Sequence, residues 1–257
     1  MDVLEAIKKR RTIRRFKSKP VPEEIVLEIV KAGQRAPSAC SLQTYSIIWV
    51  KDEEKRRALW EACGKQLFIL EAPVTLTICA DVKKLIDIMN ARGFETSLER
   101  GLGYAVKLFA IIDAILAAEN MVLAAEAYGL GSVFIGSALA NPRVVKILNI
   151  PKGVLPLSLL CIGYPDENPP VRPRLLLETV LFIDSYRQLS KSELDRGVEY
   201  MNEKLAEEGY YVKYSQRSVD FKWIDNVQRK LVGNRKREEM LIETLKNLGF
   251  HPFEPVK

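Results

Sequence analysis

Histidine is almost absent from this chain: the single one in 257 residues is His251. That scarcity argues against a Ser–His or Cys–His hydrolase and against a metal centre, so no metal is expected. Cysteine is scarce too. Cys40, Cys63, Cys79 and Cys161 form no CxxC and no paired spacing, so reduced thiols in a cytoplasmic protein are the expectation. No apolar run reaches the roughly 18 to 20 residues of a membrane span. The longest stretch, 103–132, is interrupted by Lys107, Asp113, Glu119, Asn120 and Glu126 and reads as a buried helix. The charged start lacks the apolar stretch of a secretory signal, and no repeat or low-complexity tract is present. A GxGxxG loop is missing as well. Gly129-Leu130-Gly131-Ser132 follows a helix rather than a strand, which excludes a dinucleotide fingerprint. An enzyme so equipped draws its hard chemistry from a cofactor.

What the chain does have is a concentrated positive charge. The net charge is +6, and the first twenty residues hold eight Lys/Arg against two acids. The other residues balance at zero. An excess this local points to one anionic ligand rather than to a generally basic surface. The apolar fraction of 47% suits a globular protein with a real core.

The patterning predicts helices at 3–10, 20–35, 53–62, 104–128 and 141–148, and strands at 45–50, 74–80, 132–135, 155–162 and 180–184. Helices and non-alternating strands mix without a βαβ rhythm, which favours an α+β fold. Beyond residue 185 the texture changes to two or three amphipathic helices carrying Tyr200, Tyr210, Tyr211, Tyr214, Phe221 and Trp223. The expected organisation is therefore a domain at 1–185 and a helical C-terminal extension at 186–257, serving as a lid or a dimer arm.

Three segments carry chemistry. In Arg10-Arg11-Thr12-Ile13-Arg14, a helix end sets Arg10 and Arg14 one turn apart with a hydroxyl between them. Two guanidinium forks and a hydroxyl suit a phosphomonoester. The loop from Pro37 and Ser38 through Ser41 to Gln43 is built of small residues, so a flat ring can lie close to its backbone. After Gly163-Tyr164-Pro165 come Arg172 and Arg174 on a proline-stiffened chain, both facing one way.

Taken in this order, the segments resemble the nitroreductase family of FMN-dependent oxidoreductases. RRTIRRF is similar to the family's RRSxRxF start, and PVPEEIVLEIVKAGQRAPSACSLQTYSIIWV to its PVPxExIxxILxAAxxAPSxxNxQPWxFIVV stretch. ENMVLAAEAYGLGSVFIG resembles its central helix and the turn that follows, and GYPDENPPVRPRLLLETV its closing segment. The resemblance covers about residues 1–185. Ser41, Thr44 and Tyr45 stand where the family has Asn, Pro and Trp. The last 70 or so residues have no counterpart in the short family members.

The resemblance implies a mainly antiparallel sheet flanked by helices, in a domain-exchanged homodimer with FMN at the subunit interface and NADH or NADPH as electron donor. It puts Arg10, Arg11, Thr12, Arg172 and Arg174 around the FMN phosphate and Arg14 toward the ribityl chain and pyrimidine edge. Pro37, Ser38, Ser41 and Gln43 would line the ring, Gly136 would let backbone approach its other edge, and Lys65 or Gln66 would add a polar contact. Residues 181–184 match a strand that crosses to the partner's sheet. No protein nucleophile is implied, because the chemistry sits on FMN and the acceptor is an electron-poor small molecule such as a nitroaromatic or quinone. A specialised flavoenzyme of the same fold (a reductive dehalogenase, a dehydrogenase or a flavin-fragmenting enzyme) is the alternative. A nucleic-acid-binding protein is the remote one, and the near-neutral extension lacks the basic footprint it needs.

Overall fold

The computed structural model describes residues 2–98, 103–215 and 217–251. Tyr45–Trp49 (β1), Val74–Asp81 (β2), Gly131–Ile135 (β3) and Val154–Gly163 (β4) form one antiparallel sheet in the order β1-β2-β4-β3. The two central strands, β2 and β4, are buried along their whole length. A strand covered on both faces has no side that faces water, and even Thr75, Thr77 and Ser158 are buried here. The fold is α+β, as its sequence pattern indicates.

The chain divides into two compact units, one of residues 1–169 and 236–257, the other of residues 170–235. In the first, helices cover both faces of the sheet. On one side lie Glu23–Gln34 (α2) and the 24-residue Tyr104–Ala127 (α6), whose Ala110, Ala114, Ala117, Met121 and Ala125 pack with Leu76, Ile78, Leu160 and Ile162. On the other, Glu53–Ala62 (α3), Phe68–Glu71 (α4) and Pro142–Ile147 (α7) bring Leu59, Ile69 and Val144 against Cys79, Leu159 and Cys161. Lys83–Ala91 (α5) follows β2. Among the described residues α6 is the one helix long and apolar enough to cross a bilayer; its alanine face lies in this core.

Val3–Lys9 (α1) is shorter than the sequence pattern suggests. Arg10 is already extended at ψ 133°, Thr12 bridges Ser132, and Phe16 bridges Pro165. Arg10 and Arg14 therefore share no helical turn. Sheet pairing decides this: the Ile13 N–H donates to the Ser132 carbonyl at 3.0 Å and the Lys17 N–H to the Tyr164 carbonyl at 2.9 Å. Two glycines make room for the docked side chains. A Cβ on Gly131 would stand 2.3 Å from Ile13 Cγ1, and one on Gly163 would stand 2.9 Å from Phe16 Cδ1 and 2.5 Å from Pro73 Cδ.

The second unit holds a 3₁₀ turn at Leu177–Thr179 and the helices Lys191–Glu207 (α8), Tyr210–Ser215 (α9) and Trp223–Val232 (α10). The Ser190 hydroxyl and the Glu193 carboxylate close a reciprocal cap on α8. Its small core joins Met201, Leu205 and Tyr211 with Tyr200, Tyr210, Phe221 and Trp223. The strand expected at 180–184 does not form: Leu181 and Ile183 are exposed, and no neighbouring strand pairs with them.

The boundary expected at 185 also differs from the division into units, which falls after Pro169. Within the expected extension, Arg235–Asn247 (α11) leads back into the first unit. There Leu248 and Phe250 are buried in the core beside α6, and the Gly153 N–H donates to the Leu248 carbonyl at 2.9 Å. The last six residues of that extension lie outside the described residues.

The docked basic segment gives a stability test. Gly131→Ala forces the Ile13 side chain out of its seat and should cost about 1–3 kcal/mol, the range for overpacking a tight core. Urea melts of the two proteins measure it; an unchanged midpoint would show that Ile13 has room to move.

Candidate functional site

The basic segment is docked mainly through its backbone, with the Arg11 side chain adding to the contact. The Glu167 carboxylate accepts the Arg14 N–H and, at 3.2 Å, the Arg15 N–H. The Asp166 N–H donates to the Arg15 carbonyl at 3.0 Å, and Arg11 Nη1 donates to the Pro169 carbonyl at 2.9 Å. Residues 10–15 and 164–169 thus form one docked pair of chains. From below, α6 contributes Glu126. Burial pushes this carboxyl above the usual carboxylate range, opposed by the charges of Arg10 and Arg11 and by the Arg11 N–H that donates to it. Its Oε1 is buried without a hydrogen-bond partner.

The loop between α2 and β1 has an unusual backbone. Cys40, Ser41 and Gln43 all lie in the left-handed region, at φ 49°, 56° and 52°. Each such non-glycine residue costs about 1–2 kcal/mol. The compensation comes from Asp113 of α6, which is 1% exposed. Its Oδ1 accepts the Ala39 N–H at 2.9 Å, and its Oδ2 accepts the Thr44 hydroxyl at 2.8 Å and the Thr44 N–H at 3.3 Å. Hydrogen bonds to a charged group contribute about 1.5–3 kcal/mol each, enough to offset the strain. Pro37, Ser41 and Gln43 are exposed on this loop and Ser38 is half-buried.

Asp113 and Glu126 lie thirteen residues apart on one helix, about 20 Å at 1.5 Å per residue. The loop and the arginine segment are thus tied to separate points of α6 and do not meet along it. At the end of β3, Gly136 opens a short 3₁₀ turn, and a Cβ there would meet nothing within 4 Å. No packing inside the chain requires glycine at this position. Beside it, the Gln66 amide donates to the Cys63 carbonyl at 2.8 Å and to the Ser137 hydroxyl at 3.2 Å, while Lys65 lies over the Trp60 ring.

Arg172 and Arg174 belong to the second unit. Arg172 is paired with Glu208, and its guanidinium lies over the Tyr210 ring at 3.9 Å and over Tyr214 at 4.8 Å. Arg174 is exposed and donates to the Arg172 and Pro173 carbonyls. Sequence reasoning did not single out Asp113, Glu126, Glu167 or Glu208. For the first two a signal was present, since both interrupt an otherwise apolar helix. For Glu167 and Glu208 nothing local marks them out.

The profile of the nitroreductase family matches residues 7–164. The chain is 31% identical to the oxygen-insensitive NADPH nitroreductase of Salmonella typhimurium, over 96% of this chain and 97% of that one. It is 34% identical to the FMN reductase [NAD(P)H] of Bacillus subtilis, over 80% and 82% of the two chains. The solved NADPH:FMN oxidoreductase of Vibrio harveyi, complexed with NAD+, superposes with a TM-score of 0.81 at 28% identity, covering 98% of this chain and 99% of that one. The chain belongs to the nitroreductase family. The C-terminal region, which the short family members lack, is shared with these longer relatives.

The cysteines give a chemical test of the loop. Cys63, Cys79 and Cys161 are buried and Cys40 is exposed. Burial pushes the Cys79 and Cys161 thiols up to about 12 and raises that of Cys63, so all three are poor nucleophiles at neutral pH. A disulfide reagent should titrate one thiol per native chain and four in denaturant. Cys40→Ser should abolish the native reaction.

Proposed function

We propose that this chain is an FMN-dependent oxidoreductase that takes a hydride from NADH or NADPH and passes it to an electron-poor acceptor such as a nitroaromatic or a quinone. The observation that carries this reading is the basic segment at 10–14, docked by its backbone against 164–169 in a chain of this family. The names of the relatives, FMN reductase and NADPH nitroreductase, support the same activity and make NADPH the first donor to test.

The donor set fits the group. Guanidinium forks with a hydroxyl match the oxygens of a phosphomonoester, and the open side of Gly136 offers the space a flat ring needs. Bound FMN supplies the two-electron relay between nicotinamide and acceptor. The chain supplies binding, orientation and field. Arg10, Arg11 and Thr12 hold the phosphate, and Arg14 serves the ribityl chain and pyrimidine edge. Pro37, Ser38, Ser41 and Gln43 line the ring. Arg172 and Arg174 are retained as phosphate ligands on the resemblance; Arg172 does this work beside the Glu208 carboxylate, which tempers its charge.

The same reading includes a homodimer. Tyr104, Leu108, Ile112, Ile115 and Leu116 form an exposed apolar stripe at helical spacing on α6. A second copy covers such a face, and a flavin at the subunit interface lets both tethered segments of the dimer contribute.

The protein should purify yellow, and NADPH should bleach the bound flavin under anaerobic conditions, with colour restored by a nitroaromatic. Apo-protein should bind FMN far more tightly than riboflavin, which lacks the phosphate. Arg11→Ala should weaken FMN by about 1.5–3 kcal/mol and leave riboflavin unchanged, as read by quenching of flavin fluorescence. Equal affinity for the two flavins in the wild type would defeat the phosphate assignment. Sedimentation of the loaded protein should give a dimer, and a flavin-loaded monomer would contradict the interface.

A further inference from the structure

We propose that Asp113 is a positioning residue for the flavin ring, acting through the loop at 38–44 that its carboxylate fastens at both ends. The proposal rests on the FMN reading above and deepens it. Ala39 and Thr44 flank the three left-handed residues Cys40, Ser41 and Gln43, and both donate to this one buried carboxylate. A loop with that backbone relaxes when its ends are released. Asp113 sits in a helix otherwise lined with alanine and apolar residues against the sheet, where an unfastened carboxylate is unfavourable. The two constraints support each other: the loop satisfies the charge, and the charge holds the loop.

Thr44 completes the arrangement. Its hydroxyl and its N–H both reach Oδ2, and a proline, the residue the family pattern carries here, has neither donor. The Thr44–Asp113 pair therefore replaces ring rigidity with a charge-assisted clamp. Ser38 and Ser41, which the FMN reading puts against the ring, lie inside the clamped span.

The test uses full-length protein in its apo and FMN-loaded forms. In Asp113→Asn one of the two acceptor oxygens becomes an N–H donor, so either the Ala39 N–H or the Thr44 N–H loses its acceptor. This variant should weaken FMN and riboflavin by the same factor, about tenfold, equivalent to about 1.4 kcal/mol. At saturating flavin it should also change the visible circular dichroism and the reduction potential of the bound ring, which a merely less stable protein leaves unchanged. Thr44→Val removes only the hydroxyl and should move the same three readouts in the same direction by less. Arg11→Ala, by contrast, should weaken FMN alone and leave the ring spectrum unchanged. Asp113→Asn protein with wild-type spectrum and potential, and affinities within about twofold, would overturn the proposal while the FMN reading stands. If Asp113→Asn does not fold, Thr44→Val decides: wild-type affinities and spectrum in that variant overturn it. A wild type that binds neither flavin refutes the FMN reading itself, and the proposal with it.

Discussion

The first unit depends on one long helix carrying two acids where apolar residues are expected. Alanines on α6 let it lie close against β2 and β4, and that close fit creates the buried environment in which a carboxylate must find donors. Asp113 finds them in the α2–β1 loop, and Glu126 finds one in the backbone of Arg11. Each acid thereby fixes a segment with no regular structure of its own. The helix works as a rigid bar with a tether at each of two points. Loops can carry function only when something rigid holds them, and here the holding groups are the polar exceptions inside the core.

Most of the fold was legible because its signals are those of burial. The four strands of the sheet came through as short apolar or β-branched runs between turn residues, and their mixing with helices without a βαβ rhythm pointed to the α+β class. The long helix came through by its length. What stayed hidden was set by partners distant in sequence. The extended path of residues 12–16 depends on pairing with Ser132 and Pro165, so local spacing misread it as a helix end. The strand read at 180–184 rested on apolar residues that stand exposed in the single chain. The return of α11 to the first unit is fixed by Leu248 and Phe250, which in sequence look like any amphipathic tail.

The second unit illustrates how a correct residue list still misses a role. The aromatic cluster was visible as composition, in an extension read as a lid or a dimer arm. Tyr211 is buried against Tyr210 and Phe221, with ring centroids 5.0 and 4.9 Å away. These rings form the core of a unit too small to build a larger one. Tyr210 and Tyr214 have a second task, because the Arg172 guanidinium lies over both. A planar cation between rings and a carboxylate is held in a defined orientation even without an anion. Arg174, with only backbone carbonyls to bind, has no comparable constraint.

The same logic applies to the basic segment and explains why an acid belongs beneath it. Several arginines brought together repel one another, and the folded state must carry that repulsion whenever no anion is bound. Glu126 relieves it at the cost of its own desolvation, which is the largest influence on its carboxyl. The relief is partial by construction. The Glu126 Oε1 is buried without a hydrogen-bond partner, and the charges of Arg10 and Arg11 offset only part of the desolvation. A carboxylate that bound those groups bidentately would compete with any incoming phosphate. A neutral residue would leave the Arg11 N–H without an anionic acceptor. A half-buried acid beside Arg10 and Arg11 offsets part of their mutual repulsion without replacing the anion they would bind.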